Sequence, residues 1–67
     1  MERWNSAQSK NIENPKIDVF LLEIAEVCKK HNLSISHEDQ HGNFRIENFD
    51  QSTMDWLLSA PDDTETK

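Results

Sequence analysis

The residues of this chain best suited to chemistry are His37, Glu38 and His41, which complete the string H-E-x-x-H over residues 37–41. In zinc proteases this string lies on a helix, where both histidines bind one metal and the glutamate acts as general base. The flanking sequence predicts a different structure. Residues 33–36 and 44–46 alternate apolar and polar side chains, which is the pattern of a half-buried β-strand. We therefore predict a hairpin, no metal site, no cofactor and no catalytic residue.

The turn of this hairpin is expected at His41 and Gly42, since glycine readily adopts the positive φ that a tight turn requires. The alternation predicts an inward apolar face made of Leu33, Ile35, Phe44 and Ile46. A two-residue loop also fixes the register, which pairs Asp39 with Phe44, Glu38 with Arg45, and His37 with Ile46.

Two helices are expected around the hairpin. Asn14 and Pro15 form a typical helix start, and residues 15–31 carry one apolar stripe at helical spacing, followed by Asn32 as a left-handed stop. The stripe consists of Ile17, Phe20, Leu21, Ile24, Val27 and Cys28. Asp50 or Ser52 is expected to cap a short helix within residues 51–60. The predicted fold is α+β, a small αββα unit over residues 15–60 with both helices on one face of a two-stranded antiparallel hairpin, with dimerisation as one way to complete its core.

The ends of the chain are polar. Residues 1–14 show no sustained periodicity and are expected to be a flexible arm, and residues 61–67 are expected to be a disordered acidic tail. Trp4 is the exception in the arm. Two roles are open for it, either packing back onto the domain or anchoring a partner.

Charge narrows the set of partners. The net charge is −6, and the excess of acids lies in the second half of the chain, because residues 1–32 hold five acids and five bases. Such a surface repels phosphate backbones and attracts basic proteins, so we expect no direct nucleic-acid binding. A merely solubilising role for the carboxylates is the alternative. No apolar run approaches a membrane span, and the single cysteine, Cys28, cannot form an internal disulfide, which fits a reducing compartment. We therefore expect a cytoplasmic protein without membrane contact, and we expect Cys28 to be buried.

Part of the sequence resembles a known group. The segments KKHNLSISHEDQHGNFRI and DWLLSA, within residues 17–60, are similar to small proteins encoded by bacteriophages and prophages. Asn32 stands where glycine would suit the helix stop, and the residues before Pro15 lie outside the resemblance. The resemblance implies an accessory protein that acts in the cytoplasm of an infected host.

Three functional classes remain open. The first, which we favour, is a small acidic phage protein that binds and inhibits or modulates a host protein with a basic surface, in host takeover or anti-defence. The others are a self-associating structural module, such as a homodimer, and a metal-dependent hydrolase that uses residues 37–41. For the first class, the expected partner-binding residues are Glu38, Asp39, His41, Glu47, Asp55 and Trp56.

Overall fold

A computed structural model describes residues 1–38 and 40–64 of the chain. Six elements follow one another along these residues: β1 (Glu2–Asn5), β2 (Lys10–Glu13), α1 (Pro15–His31), β3 (Leu33–His37), β4 (Phe44–Asn48) and α2 (Gln51–Leu58). The described strands form two separate antiparallel pairs, β1 with β2 and β3 with β4. The fold is therefore a small α+β domain, as the sequence predicts, with an additional hairpin in front of the predicted αββα order.

Helix α1 begins and ends where the sequence predicts. Pro15 occupies its first turn, where a missing N–H costs nothing, and Asn32 ends it in the left-handed conformation at φ 57°. The N–H of Asn32 donates to the carbonyl oxygens of Cys28 and Lys29. The side chain of Asn14 makes no capping hydrogen bond. Its amide nitrogen instead donates to Asp62 Oδ2 at 3.1 Å.

The first fourteen residues are not a flexible arm in this structure. They contain the β1–β2 hairpin, whose register pairs Arg3 with Ile12 and Trp4 with Asn11. The prediction failed because the hairpin is held by contacts distant in sequence. The guanidinium of Arg3, which is buried, donates to the carbonyl oxygens of Leu58 and Ala60 at 3.0 and 2.8 Å, and to Asp18 Oδ1 at 2.6 Å.

The segment after α2 is also more ordered than predicted. Asp62, expected in a disordered tail, is buried and pairs with Asn5 in a parallel bridge. Its backbone N–H donates to the carbonyl oxygen of Trp4 at 2.7 Å, and its own carbonyl accepts from the N–H of Ser6 at 3.0 Å. Residue 62 therefore extends the first hairpin by one bridge. Residues 65–67 lie outside the described residues.

The β3–β4 hairpin forms with a register two residues away from the predicted one. His37 lies opposite Phe44, Ser36 opposite Arg45, and Ile35 opposite Ile46. A longer loop causes the difference, because the N–H of Glu38 donates to the carbonyl of Asn43 at 2.8 Å and the N–H of Gly42 donates to the carbonyl of Glu38 at 3.1 Å. Gly42 has the predicted positive φ, 68°. A shift of two residues does not change which side chains share a face of the hairpin.

Most of the predicted inward face of this hairpin is exposed. Ser34 is fully buried, whereas Phe44 is 81% and Ile46 65% exposed, and Leu33 is also exposed. Burial of Ser34 is possible because its hydroxyl has a partner, the backbone N–H of Asp50, which donates to Ser34 Oγ at 2.8 Å. Alternation therefore grouped the side chains by face correctly, but among the four residues predicted to point inward only Ile35 is partly buried, against α1.

The helices and β3 surround a small core. Helix α1 contacts α2, and both contact β3. Among the described residues, the buried hydrophobic side chains are Leu21, Cys28 and Met54. Burial of Cys28 confirms the prediction for that thiol. Part of the predicted apolar stripe along α1 is not buried by the rest of the chain, since Phe20 and Val27 remain more than half exposed.

Candidate partner-binding face

Helix α2 is positioned on the second hairpin by its first turn. Asp50 has the extended backbone of an N-cap, and its carboxylate accepts from the N–H of Ser52 at 2.9 Å and from the Ser52 hydroxyl at 2.7 Å. These hydrogen bonds hold the pKa of Asp50 below its ordinary value. The N–H of Asp50 is fixed in turn by Ser34. The start of α2 is thus tied to Ser34 in β3, and the predicted capping by Asp50 is confirmed.

An open groove lies between the end of β3 and α2. Its lining residues, which define the Trp56 groove, are Ser36, His37, Ser52, Thr53 and Trp56, and its volume is about 250 Å³. The rings of His37 and Trp56 stack with centroids 5.7 Å apart and planes inclined by 29°. Trp56 nevertheless remains half exposed. An indole that contacts an imidazole and remains half exposed is a candidate aromatic anchor for a protein partner.

One of the predicted carboxylates contacts a lining residue of this groove, and a second precedes Trp56 on α2. Glu47 Oε1 accepts from the hydroxyl of Thr53, a lining residue, at 3.1 Å. Asp55 is exposed on α2 directly before Trp56, and its Oδ1 accepts from Gln51 Nε2 at 3.1 Å. Both side chains are therefore oriented by a neighbour on α2. Held carboxylates lose less rotamer entropy when they bind a cation than freely rotating ones do.

The remaining predicted residues belong to the loop between β3 and β4. Glu38 Oε1 lies 3.9 Å from Nε2 of the exposed His41, which is near the upper limit of distance for an ion pair. The predicted pairing of Glu38 with Arg45 across the strands is wrong, since Ser36 takes the position opposite Arg45. Asp39 lies outside the described residues.

The described residues of the H-E-x-x-H string are not helical. His37 is the last residue of β3, and residues 40 and 41 belong to a turn. The hairpin predicted from the flanking alternation is confirmed at these residues. Among the described side chains, no group of three or more histidines, cysteines, aspartates or glutamates is placed to bind one metal ion. That the chain is not an enzyme remains a prediction.

Sequence reasoning missed the groove itself. It considered His37 in the zinc string and in the hairpin register, but it did not connect His37 with Trp56, which lies nineteen residues later. The hydroxyl-bearing residues of the lining, Ser36, Ser52 and Thr53, were also missed. A signal was present, since Ser52, Thr53 and Trp56 are spaced to share one side of a helix.

No protein-family model, curated protein or solved structure matches this chain. Across the part of the chain that the structure describes, no helix is both long enough and apolar enough to cross a bilayer.

Proposed function

We propose that this chain is an accessory protein of a bacteriophage that binds a host protein through the Trp56 groove and the carboxylates around it. The bound host protein presents a basic surface, and its activity is blocked or modulated by occupancy alone. The action takes place in the cytoplasm of the infected host, as the resemblance to phage proteins implies.

The observation that carries this proposal is the half-exposed Trp56, stacked on His37 at the edge of the groove. Aromatic side chains that are rigid, partly desolvated and surrounded by polar groups dominate the energetics of protein interfaces. The stack on His37 fixes the indole before binding, so less conformational entropy is lost when a partner covers it.

Charge determines the kind of partner. Glu47 and Asp55 are oriented near the groove, and Glu38 lies in the adjoining loop. Lysine and arginine side chains on a partner complement these carboxylates, and their long-range attraction speeds the first encounter. A nucleic acid would be repelled by the same groups.

A capture experiment with two matched variants tests the proposal. The wild-type chain, Trp56→Ala and Trp4→Ala are immobilised and exposed to a lysate of the bacterial host. Trp4 is the matched control because it is 49% exposed, against 48% for Trp56, and lies on β1 outside the groove. Thermal unfolding of each variant verifies that it is folded.

We expect the wild-type chain and Trp4→Ala to retain the same host protein and Trp56→Ala to lose it. Removal of an aromatic hot spot costs about 2 kcal/mol, roughly a 30-fold loss of affinity. Equal retention by Trp56→Ala, or loss in Trp4→Ala alone, would show that the partner face has been misassigned.

A further inference from the structure

A second surface of the molecule is apolar, and its groove shares no lining residue with the Trp56 groove. Residues of α1 and β3 line an open groove of about 350 Å³, which we term the α1 groove. Its lining residues are Phe20, Glu23, Ile24, Val27, Cys28 and Ile35. The exposed Ile46 is paired with Ile35 across the hairpin, so the apolar surface continues onto β4. Phe44 follows on the same face of β4 and is the most exposed large hydrophobic residue described.

We propose that the α1 groove binds a second copy of this chain, with Phe44 of each protomer inserted into the α1 groove of the other. The resulting dimer has a two-fold axis, and both contacts are the same. The lining residues of the two grooves differ, but the two surfaces adjoin where Phe44 lies opposite His37 across the hairpin.

The accessible surface of the chain supports an interface of this kind. The chain exposes 5290 Å². A compact monomer of 7.8 kDa is expected to expose about 4400 Å². The excess, about 900 Å² over the whole chain, is large enough to include the roughly 800 Å² that each partner buries in a stable complex of standard size.

The small core supports the same conclusion. Leu21, Cys28 and Met54 are the buried hydrophobic residues among those described, while Phe20, Val27, Phe44 and Ile46 are exposed. Domains of this size commonly complete their core by oligomerisation. Contiguous apolar patches of several side chains are rare on soluble monomers and usually mark an interaction surface.

Charge favours a second copy over a basic partner at this surface. Two chains that each carry a net charge of −6 repel one another wherever acidic surfaces meet. The lining of the α1 groove contains a single charged residue, Glu23, and is otherwise apolar. Self-association through this groove therefore brings few like charges together, whereas a basic partner would find few carboxylates there.

Sedimentation equilibrium of the whole chain over roughly a hundredfold range of concentration tests the proposal. Wild type is compared with Val27→Glu, which places a charge in the groove, and Phe44→Ser, which removes the inserted ring. Val19→Glu is the control, because Val19 and Val27 lie on the same helix and are 56% and 57% exposed, but Val19 does not line the groove. Circular dichroism verifies the helix content of each variant.

We expect a dimer for wild type and Val19→Glu, and a dissociation constant at least about tenfold higher for Val27→Glu and Phe44→Ser, since a buried charge or a lost aromatic anchor is costly. A mixture of Val27→Glu with Phe44→Ser should dimerise more strongly than either variant alone. In that mixture, the intact ring of the first variant meets the intact groove of the second.

Three results would overturn the proposal. The first is a wild-type chain that stays monomeric throughout the concentration range. The second is a dimer that persists in both Val27→Glu and Phe44→Ser, which would place the interface elsewhere. The third is a monomer that binds an apolar dye in the α1 groove and loses the dye in Val27→Glu, which would show a groove for another apolar ligand.

Discussion

Asn5 and Asp62 lie fifty-seven residues apart in the chain and are hydrogen-bonded in a buried position, with Asn5 Nδ2 donating to Asp62 Oδ2 at 3.0 Å. The same carboxylate accepts from Asn14 at Oδ2 and from the N–H and hydroxyl of Thr64 at Oδ1. Asn5 Oδ1 in turn accepts from the N–H of Gln8, inside the turn of the first hairpin. One carboxylate thus fastens the first hairpin, the start of α1 and the segment after α2 to each other.

Asp62→Asn is therefore expected to loosen the first hairpin. Asn5, Asn14 and Thr64 all donate to the carboxylate of Asp62, whose two oxygens only accept. In the variant one of these oxygens becomes an NH₂ group, so a donor faces other donors. A lower midpoint of thermal unfolding and faster amide exchange in β1 and β2 should follow. Asp55→Asn, a change of an exposed carboxylate on α2, is the control and should leave β1 and β2 protected. Unchanged exchange in Asp62→Asn would contradict this account of the hairpin.

Acid should destabilise the same region. The hydroxyl of Thr64 and then the amide of Asn14 hold the pKa of Asp62 below its ordinary value of 3.8, and Arg3 followed by the terminal amine of Met1 does the same for Asp18. A lowered pKa in the folded state means that the stabilisation is fully present above pH 3.8 and is lost as the pH falls through the lower folded values. Thermal unfolding followed from neutral pH into this range measures the loss. The loss on acidification should be smaller in Asp62→Asn than in wild type, and an equal loss would remove Asp62 from the explanation.

Met54 is expected to be the most sensitive core position. It is 2% exposed and lies on α2. Met54→Ala should lower the free energy of unfolding by about 2–5 kcal/mol, because a buried side chain is replaced by a cavity. Val19→Ala, at an exposed position on α1, should cost less than about 0.5 kcal/mol. Urea denaturation of both variants provides the comparison, and similar costs at the two positions would be inconsistent with the described core.

Ser34 tests the connection between β3 and α2. Ser34→Ala leaves the N–H of Asp50 without its acceptor, and the expected cost is about 1–3 kcal/mol in the free energy of unfolding. Ser36→Ala is the control, since Ser36 lies on the same strand and lines the open Trp56 groove. If both serine variants unfold at the same urea concentration as wild type, the Ser34 hydroxyl does not hold the start of α2.

The elements around residues 15–58 were predictable because their signals are local. Pro15, Asn32 and Asp50 each act within one turn of the helix end that they define, and the alternation in β3 and β4 has a period of two. The first hairpin was not predictable in this way. Its strands are polar and are stabilised by Asp18 and by backbone groups near residue 60, which sequence periodicity does not bring together.

Some of the residues expected to bind a partner lie near the Trp56 groove, and their binding role stays a prediction. Asp55 and Trp56 lie on α2, and Glu47 on β4 accepts a hydrogen bond from Thr53 of α2. The sequence did not indicate that His37 belongs to the site, which follows from its stack on Trp56. The register error of two residues also removed the expected partner of Arg45. Loop length decided that register, and the loop closes through backbone hydrogen bonds of Glu38 that the side-chain pattern does not encode.

The most direct measurement of the central claim is the rate at which the captured host protein associates with the chain as salt is raised. We compare wild type with a double variant, Glu38→Gln with Asp55→Asn, and with a control, Glu2→Gln with Glu26→Gln. Each double variant changes the net charge from −6 to −4, so total charge is matched and only its position differs. Wild type and the control should associate fast at low salt and more slowly as salt screens the carboxylates, while the variant at the Trp56 groove associates slowly throughout. Identical rates for the two double variants at every salt concentration would contradict the claim that this acidic face meets the partner.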